Sequence, residues 1–129
     1  MIVDVHVKNL RAMGYENLQQ WMENEQNFYC GRKGVVFINN IRFPKQDSRF
    51  HNPYKVGKDG NLEEVLQKFY QYALANFSYQ ELLPLQHKNL GCWCVNATTL
   101  QLPFSCHTQV LLYIIANGAT LIQQGLLRY

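Results

Sequence analysis

Cys92, Cys94, Cys106 and His107 fall within residues 89–118, a stretch that contains no Lys, Arg, Asp or Glu. Thiols and imidazoles ligate soft metals, attack electrophiles and move protons near neutral pH. As zinc ligands these four have an unusual spacing: Cys-x-Cys, eleven intervening residues, then Cys-His. Structural zinc sites more often use Cys-x2-4-Cys knuckles. Adjacent Cys106 and His107 at a helix start would also be splayed by about 100°. As core residues, Cys92 and Cys94 would share one face of a strand, with Trp93 on the other. The spacing therefore predicts Cys92 and Cys94 as strand residues of the core, no metal and no other cofactor. Cys106 and His107 are expected to edge a site as its catalytic candidates.

The case for a site there is geometric. Open α/β sheets place ligands where a strand ends and a helix begins. In "SCHTQVLLYIIANG" Ser105 is expected to cap a helix whose free N–H groups and dipole attract a phosphate. A Cys106 thiol at that end would have its pKa lowered, and His107 would serve as general acid or base. The segment "SRFHNPYKVGKDGN" supplies cations and aromatics for such a ligand: Arg49, His51 and Lys55 as phosphate donors, Asn52 as an amide for base or ribose, Phe50 or Tyr54 for stacking. Arg32, after Gly31, adds a second guanidinium. Together these favour a nucleotide or another phosphate-bearing ligand over an apolar one.

The elements that must hold these residues follow from pattern. "IVDVHVKN" alternates β-branched and polar residues and is expected to be a strand. Leu18, Trp21 and Met22 make a short helical stripe. "VVFINNIRF" reads as a strand, or two strands turning at Asn39-Asn40, followed by a long loop to Gly60. Asn61 caps the next helix, with Glu64 at the capping-box position and Leu62, Val65, Leu66, Phe69, Tyr72 and Ala73 along one face. A short helix around "SYQELLPLQ", a buried strand at "NLGCWCVN" and a final helical segment complete the order. Strands alternating with helices predict one α/β domain over residues 1–129, with a small, partly parallel sheet flanked by helices.

Length, 129 residues, suits one domain with a proper core. No run approaches the roughly 18 apolar residues of a membrane span, and "MIVDVHVKNL" lacks the pattern of a signal peptide. A cytosolic or nuclear location is expected, with free thiols rather than disulfides. Charge is uneven: seven of the twelve basic residues lie between Arg32 and Lys58, opposed by Asp47, whereas Lys88 and Arg128 are the formal charges after Glu81. The basic stretch is a surface for anions, nucleic acid included.

"VKNLR", "YCGR", "RFHNPYKVGKDG", "LEEVLQKFYQYAL", "LGCWC" and "CHTQVLL" occur in the order of a small domain family of unknown function, found in bacteria, phages and large DNA viruses, which the chain resembles over nearly its whole length. Arg11, the arginine of the first motif, joins Arg32, Arg49, Asn52, Lys55 and Ser105 as a ligand-binding candidate. Phe50-His51 stand where the family commonly has Trp-Gly, and Thr108-Gln109 where it has Gly-Asp. In length and sequence the chain is similar to the African swine fever virus branch of that family. This resemblance implies a protein of the host cytoplasm, and of the virion, that dampens innate immunity by cleaving cyclic GMP-AMP and so blocks interferon signalling. The residues themselves leave a phosphodiesterase, a non-catalytic nucleotide- or nucleic-acid-binding module, and a thiol or zinc protein open. They hold no Asp/Glu/His cluster of the two-metal phosphodiesterase type.

Overall fold

A computed structural model describes residues 1–94 and 103–129. The end of the expected "NLGCWCVN" strand, Val95-Asn96, lies outside the described residues. In chain order the elements are β1 (Ile2–Asp4), α1 (Val7–Ala12), α2 (Leu18–Met22), β2 (Asn27–Tyr29), β3 (Val36–Ile38), β4 (Ile41–Phe43), α3 (Leu62–Asn76), α4 (Tyr79–Leu82), a 3-10 turn (Leu83–His87), β5 (Asn89–Cys92), α5 (His107–Ala116) and α6 (Gly118–Gln123). β5 is the middle strand of a parallel sheet ordered β1-β5-β2, and β3-β4 form a separate antiparallel hairpin. The architecture is α/β, as the element order predicts.

β5 is central because "NLGC" has nothing to keep wet. Leu90 and Cys92 are buried, and a strand flanked on both sides and covered on both faces must be apolar throughout. One face of the sheet packs on α3, α5 and the loop residue Phe50, through Leu90, Cys30, Phe69, Leu111 and Ile114. The other face packs on α1 and α2, through Val3, Val5, Tyr29, Leu10 and Trp21. Gly91 is where this second layer closes: a Cβ there would lie 2.6 Å from the Trp21 ring and 2.7 Å from Val5.

Two local expectations need correction. The first strand stops at Asp4, and Val7–Ala12 are helical. The Asp4 carboxylate accepts the His6 amide, and Asn9 Nδ2 donates to the Asp4 carbonyl, so the chain turns before a longer strand can form. Burying Leu10 completely under the sheet outweighs the period-two pattern. Ser105 is not the cap of the last long helix either: α5 begins at His107 with Cys106 at its N-cap.

The hairpin turn and the cap of the long helix match what is observed. Asn39 and Asn40 take φ of 52° and 64° and turn the β3-β4 hairpin, as a two-residue Asn turn does. Asn61 and Glu64 exchange both capping-box hydrogen bonds at the start of α3. Among the described residues no helix is long and apolar enough to cross a membrane.

Candidate functional site

Three parallel strands end together: the chain leaves β1 after Asp4, β2 toward Gly31 and β5 at Trp93, and the start of α5 meets the end of β2 through His107. A cavity of about 520 Å³ opens there, lined by Gly31, Arg32, Asn52, Tyr54, Lys55, Trp93, Cys94, Ser105, Cys106 and His107 among others. This is the position at which α/β sheets bind ligands. A larger groove of about 740 Å³ runs between α3 and α5, but Glu63 is the one ionisable side chain other than Tyr70 and Tyr113 among its lining residues, so it offers an anion nothing.

The cavity wall is built by hydrogen bonds from Arg32. Its Nε donates to the Asn52 carbonyl at 3.1 Å, and its Nη2 donates to the carbonyls of Asn52 and Tyr54 at 2.8 and 2.7 Å. The guanidinium thus ties the 52–54 loop to the end of β2. Tyr29 holds the other side of this turn: its hydroxyl donates to the Arg32 carbonyl and accepts from Trp93 Nε1, both at 2.8 Å. Burial pushes the Tyr29 hydroxyl above its ordinary pKa, against the Trp93 hydrogen bond. Asn52 Oδ1 accepts the Tyr54 amide, fixing the bend before Lys55.

The candidates from sequence divide into two groups. Arg32, Asn52, Lys55, Ser105, Cys106 and His107 line the cavity. Arg49 and Arg11 do not. Arg49 pairs with Glu81 at 2.8 Å and lies over the Phe77 ring at 4.8 Å. Arg11 reaches the Glu16 carbonyl on the α1-α2 side. Of the residues named with them, His51 bonds the Ser48 carbonyl through Nδ1 and does not line the cavity, and Phe50 is buried between Phe28 and Phe77. Tyr54 does line the cavity. Trp93 packs on the second-face cluster, opposite Cys92 and Cys94 as the strand alternation predicts, and reaches the cavity from that side at the end of β5.

The start of α5 differs from the expected phosphate cradle. Gln109 Oε1 accepts the amides of Ser105 at 2.7 Å and Cys106 at 3.0 Å. The helix therefore caps itself with the side chain three residues past its N-cap, and these two amides face Gln109 instead of an anion. His107 is also committed. Its Nε2 lies 2.6 Å from the Cys30 carbonyl, which can only accept, so Nε2 carries the proton and Nδ1 keeps the lone pair. Nδ1 lies 3.8 Å from Cys106 Sγ. Burial lowers the His107 pKa, the carbonyl of Cys30 opposing it, and the ring is neutral at pH 7.

Cys92, Cys94 and Cys106 converge on the cavity floor, their sulfurs all within 4.8 Å of one another. Thr108, wholly buried, donates from Oγ1 toward Cys106 Sγ at 3.2 Å and Cys92 Sγ at 3.7 Å. The hydrogen bonds from Cys106 and then Cys94 pull the Cys92 thiol well below its ordinary pKa, against burial. Cys92, Cys94 and burial together push Cys106 up.

The comparisons bear on the same residues. An uncharacterized protein, R718, of Acanthamoeba polyphaga mimivirus is 29% identical over 69 residues, which cover 53% of this chain and 53% of that protein. The chain thus spans about half the length of this curated relative, a protein of a large DNA virus. No solved structure matches. The family model described as a domain of unknown function, DUF4326, matches residues 15–117. That span runs from the α1-α2 connection through α5 and takes in every cavity residue discussed above, and the chain belongs to the DUF4326 family.

Proposed function

We propose that the cavity receives a nucleotide by phosphate and base, and that its ligand is cyclic GMP-AMP. One observation carries the reading: two cations, Arg32 and Lys55, line the same open cavity as two aromatic rings, Trp93 and Tyr54. Guanidinium and ammonium groups attract phosphate, and aromatic rings accept a base by stacking. The volume, about 520 Å³, falls in the range of ligand cavities. The resemblance to the African swine fever virus branch supports a role in the host cytoplasm in lowering interferon signalling by removing this messenger; the mimivirus relative supports a place among proteins of large DNA viruses.

Removal by cleavage requires a water oxygen to add to phosphorus while a ribose oxygen leaves and takes up a proton. Arg32 and Lys55 would stabilise the developing charge on the phosphoryl oxygens. His107, neutral and bonded to Cys30 through Nε2, would act only through its Nδ1 lone pair, beside Cys106. The same commitment of His107, with Gln109 filling the helix start, favours a second reading in which the chain sequesters the nucleotide intact. Chromatography of cyclic GMP-AMP incubated with pure protein separates the two. Linear product beyond one equivalent supports cleavage. Intact nucleotide, with calorimetric binding that Lys55→Ala abolishes, supports sequestration. No product and no binding would end both readings.

A further inference from the structure

We propose that Cys92, Cys94 and Cys106 form a three-thiolate site for a soft divalent metal, zinc first, whose fourth position faces the cavity. In a tetrahedral zinc site with Zn–S of about 2.3 Å the sulfurs stand about 3.8 Å apart. The three sulfurs here, already within 4.8 Å of one another, need to close by less than a bond length.

Three further observations separate this from cysteine used as core filling. The thiols are not distributed through the two large apolar cores. They pack on one another and on Ile2, in a small cluster of their own. Their surroundings carry the supports that a thiolate site uses. Thr108 donates a hydroxyl to two of the sulfurs. His107 stands at the cluster's edge with Nε2–H held by the Cys30 carbonyl and Nδ1 3.8 Å from Cys106 Sγ, so the ring's lone pair is turned toward the sulfurs. Charge is also balanced: three thiolates and a divalent cation leave one negative charge, and Arg32 and Lys55 line the same cavity. Sulfur ligands select zinc over magnesium or calcium. The sulfur geometry carries the site whether or not the cavity takes a nucleotide.

The test is metal binding by the intact chain, purified under reducing conditions from zinc-supplemented medium. Elemental analysis is expected to find one zinc per chain. Titration of the metal-free, reduced protein with Co(II) is expected to give thiolate-to-cobalt charge-transfer absorption that saturates at one equivalent and is bleached by zinc. Cys92→Ser, Cys94→Ser and Cys106→Ser should each weaken binding at least tenfold. Cys30→Ser, whose thiol faces the Phe28 carbonyl outside the cluster, should leave it unchanged. Thr108→Val is expected to cost roughly tenfold, the usual effect of removing an outer hydrogen bond. Should the serine variants fold poorly, the wild-type titration decides alone. No retained zinc and no cobalt absorption would overturn the proposal, as would full binding by any folded serine variant of the three. A native mass short by two hydrogens, with no metal taken up after reduction, would overturn it in favour of a redox pair.

Discussion

Gly91 and Tyr29 hold the site's geometry without touching a ligand. Gly91 is required by space: any Cβ would press on Trp21 and Val5, both buried on the second face of the sheet. Gly91→Ala is expected to destabilise by about 1–3 kcal/mol, the usual cost of overpacking, read as a lower urea midpoint with an unchanged slope. Tyr29 adds a pH dependence. Its hydroxyl proton is held on the Arg32 carbonyl, and burial raises its folded pKa above the unfolded value. A group of this kind stabilises the fold fully below the unfolded pKa, near 10, and loses that contribution as pH rises through the folded value. Urea unfolding at pH 8 and pH 11 should therefore show a smaller alkaline loss for Tyr29→Phe than for the wild type. An equal loss in both would remove Tyr29 as a cause.

At the scale of elements, what could be read from sequence was what local chemistry decides. The Asn61/Glu64 capping box fixed the start of α3, and the Asn39-Asn40 pair fixed the hairpin turn, because each uses bonds between residues two to three apart. Asn61→Ala should cost about 1 kcal/mol, measurable by thermal or urea unfolding with the cavity residues untouched. What could not be read depended on partners distant in sequence. The end of β1 is set by Leu10 finding its place beneath the sheet, and the release of Arg49 from the site is set by Glu81, 32 residues away. His107 was placed correctly at the start of α5 and at the cavity, but its Nε2 partner, the Cys30 carbonyl, is 77 residues away. The meeting of Cys92 and Cys94 with Cys106 likewise needs the β5-α5 juxtaposition, which no spacing rule supplies. Arg32 bridges both scales: Arg32→Ala removes three hydrogen bonds to loop carbonyls and should make the 52–60 loop the first site of limited proteolysis, whereas Lys55→Ala should leave the digestion pattern unchanged.

For the whole molecule, four of the seven basic residues from Arg32 to Lys58 are spread over three places. Arg32 and Lys55 face the cavity, Arg49 pairs with Glu81 on the flank, and Arg42 lies over Phe37 on the hairpin. Such a scattering suits one small ligand better than a duplex. Cyclic dinucleotide affinity should therefore fall only modestly between 50 and 200 mM salt. A nucleic-acid binder making six or more phosphate contacts would lose about a thousandfold or more over the same range, and a steep fall measured by calorimetry would reinstate that reading. The way Arg32 is spent sets a further limit on recognition. Its Nε and Nη2 edge is occupied by backbone carbonyls, and among the described residues Nη1 alone retains protons for a guest. A phosphate can meet this guanidinium end-on, through one corner, and the two-pronged clasp by which arginine usually selects tetrahedral anions is closed to it. Discrimination among guests must then fall to the rings of Trp93 and Tyr54, so a ligand's bases, more than its charge, should decide whether it stays.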